Sequence, residues 1–218
     1  MAVRLRRSEL VQRNRSAVLE AARRVFIERG YTGATLEAIA GEAGFSKGVM
    51  YSQFASKPDL LLTLLEERIE ERARENERIA AHRSGSEGLR AILETAINHA
   101  VNDAAWALLL IEFRAIAARD LDVSRRYAEL DRRTVQLLAN VLQQFFGEAA
   151  ITPPFAIEAV AQFILALDSG IALERASNPS AVPSDVVAAF VLRALGFDGA
   201  PKAPPARARQ RRAADRNR

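Results

Sequence analysis

The residues best suited to a chemical task lie together between positions 35 and 57 of this 218-residue chain. Ser46, Lys47, Gly48, Tyr51, Ser52 and Gln53 supply hydroxyls, an ammonium, a carboxamide and a bare stretch of backbone. Such groups bond to phosphate oxygens and to base edges. Ile39, Phe45, Val49 and Met50 are interleaved with them at helical spacing, which leaves the polar set on the other side. Thr35 and Ser46 each precede a short periodic stretch and can cap it. Gly44 stands between the two, where the chain must reverse sharply. Helix, glycine turn, helix is the helix-turn-helix arrangement, whose second member enters the DNA major groove. The same pattern would also serve a plain corner between two packed helices.

Charge distribution favours a polyanionic partner. Residues 1–58 hold ten Lys/Arg against five Asp/Glu, and residues 199–218 hold seven against one, within a net charge of +4. The centre is therefore acidic. Basic ends can neutralise phosphates, although charged tails also serve solubility alone. Other chemistry finds little support. With no cysteine and only two histidines, His82 and His99, seventeen positions apart, no metal site is expected. There is no glycine-rich phosphate loop and no histidine beside a serine, and the carboxylates read as solvated i, i+4 pairs, so neither catalysis nor a cofactor is expected. With neither a long apolar span nor a secretory signal, the expected location is the cytoplasm and the expected partners include no membrane.

The elements that must position these groups are all helical, because alanine and leucine dominate and aromatic residues make up only 6%. Val18, Ala22, Val25 and Phe26 form one stripe of a helix from Arg15 to Arg29 that Gly30 closes. Ser56, Lys57, Pro58 and Asp59 start a fourth helix, with a capping serine, a proline in the first turn and an acid three residues after the cap. Further helices are expected at 89–102, 104–119, 123–146, 155–176 and 184–195. The fold class is thus all-α, with a three-helix helix-turn-helix domain at 1–58, a larger helical domain at 59–198 and a basic, unstructured tail at 199–218.

The stretch from Val18 to Leu62 resembles the DNA-binding domain of the TetR family, through Phe26, Gly30, Tyr31, Thr35, Ile39, Ala40, Ala43, Gly44, Ser46, Lys47, Gly48, Tyr51, Phe54 and Lys57. The resemblance implies that Thr35 at a helix start, Tyr51 and the start of the fourth helix at Lys57 hold phosphates and that Lys47 and Gly48 lie nearest the base edges. Gln53 stands where the family commonly has histidine, so a contact there would be a neutral amide or absent. A homodimer built by the last two long helices, a palindromic DNA operator and a cavity for a small, largely apolar effector are implied as well. Repression is the family's usual mode. An architectural DNA binder without an effector would use the same N-terminal domain.

Two late apolar stripes fit a dimer. Val160, Phe163, Ile164, Leu167 and Ile171 form one, and Val186, Val187, Phe190, Val191 and Leu195 the other; of these, Phe163, Leu167, Ile171, Val187 and Val191 are the interface candidates. For the cavity, Trp106, Leu110 and Phe113 share one face of a helix, with His99 and Tyr127 on its neighbours. All five would serve equally as core. Glu112, beside them, is expected to be solvated or paired with Arg114 or Arg119.

Overall fold

The computed structural model describes residues 7–102 and 104–197, which form nine helices and no strand. The order is α1 (Arg7–Gly33), α2 (Leu36–Glu42), α3 (Lys47–Gln53), α4 (Lys57–His82), α5 (Gly85–Asn102), α6 (Ala104–Ala117), α7 (Leu121–Glu148), α8 (Ile157–Ser177) and α9 (Ser184–Ala194). The basic tail, and Arg4 and Arg6 ahead of α1, lie outside the described residues.

Side-chain caps set the local starts. The hydroxyl of Thr35 accepts from the N–H of Ala38, that of Ser46 from Val49 and that of Ser56 from Asp59. The Asp59 carboxylate in turn accepts from the N–H of Ala55 at 3.1 Å, so donors left over at the start of α4 are satisfied from both sides. Gly44, at φ +73°, makes the turn between α2 and α3.

Two differences from the sequence reading have clear causes. α1 begins at Arg7, a turn or more before the expected start, since no residue there breaks it. Gly30 does not end α1 in the left-handed helical conformation. At φ 69° and ψ 176° it occupies a region essentially reserved for glycine, and the chain makes one more turn to Gly33.

The interior consists of two clusters. One joins α1, α2, α3 and the start of α4 around Phe26, Ile39, Met50, Phe54 and Leu60, and it extends beyond residue 58 to Trp106, Leu109 and Phe113 of α6. The other joins α5, α7, α8 and α9 around Leu89, Leu142, Phe145, Ile164 and Val191. α5 and α7 approach closely because Gly88 has no Cβ; one built there would lie 2.2 Å from the Phe145 ring. α4 leaves the first cluster and packs along α7, while α6 packs on both α1 and α8. These two helices connect the bodies.

Candidate DNA-binding surface and ligand cavity

α3 packs through buried Met50 and leaves Ser46, Lys47, Gly48, Tyr51 and Ser52 exposed, with Tyr51 53% exposed. A Cβ built on Gly48 would meet only the Ser46 hydroxyl, at 3.8 Å, so the exposed backbone there can come close to a partner. The Lys47 ammonium lies 3.0 Å from the Glu37 carboxylate of α2, an exposed pair whose hydrogen bond holds the Glu37 carboxyl below its usual range. Thr35 is exposed at the start of α2. Gln53 is only half-exposed: its side-chain oxygen is buried without a donor among the described residues, and its carbonyl accepts from Arg15, whose guanidinium lies over the Phe54 ring.

The Lys57 side chain turns inward from the start of α4. Its ammonium donates to the carbonyls of Tyr31 at 2.8 Å and Ala34 at 3.0 Å and sits 4.4 Å from the Tyr31 ring centroid. The cause is the turn after Gly30, which leaves carbonyls at the end of α1 without helical partners. Burial lowers the Lys57 pKa, opposed by the charge of Glu112.

Glu112 is also corrected. It pairs with neither Arg114 nor Arg119; its carboxylate accepts from the backbone N–H groups of Tyr31 and Thr32, each at 2.8 Å. Burial raises this carboxyl, but the hydrogen bonds from Thr32 and Tyr31 and the Lys57 charge outweigh it and leave the pKa below its ordinary value. Burial, with Asp120 and Glu112 nearby, pushes the Tyr31 phenol up to about 12.

Behind α4 and α6 lies a cavity of about 210 Å³. His99, Trp106, Leu110 and Tyr127 line it as the sequence suggested, with Ile69, Ile92, Ile111, Leu138 and Ile164 supplying apolar wall. Phe113 does not line it. Fully buried, it stands between Tyr31 (ring centroids 5.2 Å apart) and Tyr127 (6.0 Å), joining the last turn of α1 to the cavity wall. Trp106 is flanked by Arg23 of α1 at 6.0 Å and Arg68 of α4 at 5.0 Å.

The cavity also holds polar groups that the sequence reading missed: Arg68, Arg72, Arg114, Asp131, Asp168 and Ser169. Arg114 donates to the Ser169 hydroxyl at 3.2 Å, lies 3.5 Å from Asp131 and covers the Tyr127 ring at 5.3 Å. Burial raises the Asp168 carboxyl, partly offset by Arg72, Arg68 and His99. His99 itself bonds Glu75 at 2.9 Å. Asp168 contradicts the reading that every carboxylate sits in a solvated charge pattern. Its signal was a lone acid inside the apolar run FILALDSGIAL.

The late stripes divide between two faces. Ile171, Val187 and Val191 are buried within the chain, so their expected place at an interface is corrected: each packs into the second core. Leu167 is partly buried against the same core. Phe163 stays 54% exposed, and with Leu173, Val186 and Phe190 (63%) it leaves an apolar face on α8 and α9.

A helix-turn-helix unit with an exposed polar second helix, joined by two shared helices to an all-helical body with a partly open cavity, defines a ligand-sensing type of DNA-binding regulator. Residues 18–64 match the model for bacterial regulatory proteins of the tetR family, and residues 85–196, over half of the chain, match that for the C-terminal domain of BetI-type transcriptional repressors. The chain therefore belongs to the TetR family of transcriptional regulators. It is 25% identical to the HTH-type transcriptional regulator YfiR of Bacillus subtilis over 162 residues, 73% of this chain and 78% of that one. It is 30% identical to the repressor AcnR of Corynebacterium diphtheriae over 118 residues, 54% of this chain and 57% of that one. The fold is similar to the regulator FadR of Bacillus subtilis in complex with stearoyl-CoA, with a TM-score of 0.68 at 20% identity over 83% of this chain and 96% of that one. No described helix is long and apolar enough to cross a membrane.

Proposed function

We propose that the protein is a cytoplasmic repressor that binds a palindromic operator as a homodimer and releases it when a small molecule enters the cavity behind α4 and α6. In this reading residues 1–58 read DNA, residues 59–198 sense and dimerise, and residues 199–218 add electrostatic attraction to phosphates. Ser46, Lys47 and Gly48 approach base edges, Thr35 and Tyr51 hold phosphates, and Lys57 acts indirectly by fixing the loop before α2. The exposed faces of α8 and α9, with Phe163 and Phe190 at their centre, pair with those of a second copy.

One observation carries this reading: two of the helices that wall the cavity, α4 and α6, also complete the core of the DNA-reading module. Displacing either moves the module. Recognition helices in a dimer must lie roughly 34–36 Å apart, or a multiple of that, to enter successive major grooves, so a shift of a few ångströms suffices to spoil the fit. AcnR, named as a repressor, supports the sign of regulation.

The test begins by selecting bound sequences from a random DNA library and measuring operator affinity at several salt concentrations. A regulator keeps a large preference for its operator over random DNA; an architectural binder does not. Compounds suggested by the genes beside the selected site are then added. Operator binding untouched by any compound that binds the protein would remove the sensing role.

A further inference from the structure

We propose that the ligand of this cavity is a small hydroxy acid about the size of one ring, its hydroxyl donating to Asp168 and its carboxylate held by Arg72. The proposal deepens the sensing role above and rests on it.

Size comes first. A six-membered ring fills a cavity of about 150 Å³, so about 210 Å³ holds one ring, and the partly open side of the cavity leaves room for its substituents. This is below the ~300–1,000 Å³ of pockets that enclose drug-sized ligands. The apolar wall of Ile69, Leu110, Ile111 and Leu138 suits a hydrocarbon body.

The polar groups set the rest. Asp168 lines the cavity, and its Oδ1 is buried with no donor among the described residues. The two carboxylate oxygens exchange by a turn about a broad, roughly two-fold torsion, so either can meet a ligand. A buried acceptor without a donor costs free energy until one arrives, which disfavours a pure hydrocarbon. A cationic donor is disfavoured too, because the Arg72 guanidinium lines the same space and its charge already acts on Asp168. Arg114 is already held by Ser169 and Asp131. Arg72 makes no ion pair or hydrogen bond with another described residue, and its charge bears on Asp168. An acceptor-rich, negatively charged group beside a hydroxyl complements this cation and this carboxylate together.

Isothermal titration of the full chain with benzoate, the hydroxybenzoate isomers, phenol, benzylamine and toluene tests the class. One hydroxybenzoate should bind tightest, about tenfold more tightly than benzoate, as one added hydrogen bond to a charged group gives. Asp168→Asn should erase that tenfold preference, and Arg72→Gln should weaken the acids but not phenol. The ranking on the parent chain stands even if a variant fails to fold. Tightest binding of benzylamine or toluene, no binding by any probe, or a hydroxyl preference unchanged in Asp168→Asn would overturn the proposal. Operator binding followed by fluorescence anisotropy separates the two levels: a hydroxybenzoate that binds as expected yet leaves the operator occupied sinks release and spares the ligand class.

Discussion

Glu112 and Lys57 grip the end of α1 by its two polarities. The carboxylate, on α6, takes the N–H groups of Tyr31 and Thr32, and the ammonium, on α4, gives to the carbonyls of Tyr31 and Ala34. Both helices also wall the cavity. The last turn of α1, which leads into α2, is therefore held by two of the helices that wall the cavity.

Glu112→Gln should lower stability by about 1–2 kcal/mol, since an amide has one acceptor oxygen for two N–H donors and no charge to strengthen the bond. Urea unfolding measures this. Because the folded pKa lies below the ordinary value of 4.5, the stabilisation is complete above that value and is lost as pH falls through the folded pKa. Parent and variant should differ most near neutrality and converge in acid. A gap of constant size from pH 7 to pH 3 would show that the charge contributes nothing.

Gly30→Ala should be more damaging than its partial burial suggests. The backbone there costs a residue with a Cβ about 1–3 kcal/mol, and the added atom would lie 2.8 Å from the Glu112 carboxylate oxygen. Combined with Glu112→Ala, the loss should be less than the sum of the two, because removing the carboxylate relieves the clash. Strict additivity in thermal unfolding would mean that strain alone is responsible.

How much was legible in the chain follows from the range of each interaction. Thr35, Ser46, Ser56 and Gly44 act within a few residues, so their caps and turn could be read directly. Glu112 was not, because its partners lie some eighty positions away and nothing local distinguishes a carboxylate that caps a distant loop from one in solvent. The late stripes were read as two faces awaiting a partner. Helical spacing gave the stripes but not which side meets the chain's own core, and Val191 and Phe190, adjacent in sequence, went to opposite sides. Arg68 and Arg72 were hidden in a dense run of charges.

That division gives a paired test. Phe190→Asp, at a position 63% exposed, should leave the fold intact and convert a dimer to monomer in sedimentation velocity. Val191→Asp, at a position 1% exposed, should unfold the chain, because an unpaired carboxylate in an apolar core costs several kcal/mol. A folded Phe190→Asp dimer of unchanged affinity would place the interface elsewhere.

On the reading helix, Tyr51→Phe should weaken binding to all sequences alike if the hydroxyl holds a phosphate. Lys47→Ala should also relax base preference by roughly 1–3 kcal/mol. It further leaves Glu37 without its partner, adding repulsion that raised salt would screen. Unchanged operator affinity in both variants would take this surface out of the contact.

Trp106 links the cavity to the DNA-binding module most directly, since it lines the cavity on α6 while Arg23 of α1 and Arg68 of α4 lie over its ring. It is also 5% exposed within the first core, so Trp106→Ala should cost about 3–5 kcal/mol of stability. Measured below its lowered melting point, the folded variant should still bind operator nearly as the parent does, because no group on α3 has changed. Release should suffer. A ligand shifts the equilibrium only by its preference for the displaced state, and a near-complete switch needs about 5.5 kcal/mol of such preference. Without the ring, ligand binding and the positions of α1 and α4 are less tightly linked, so that difference shrinks. Operator affinity with and without the compound that releases the parent decides the matter, with Trp106→Phe as the milder control. A folded Trp106→Ala chain that loses operator binding, or that responds to the compound as the parent does, would mean that the coupling runs through other residues.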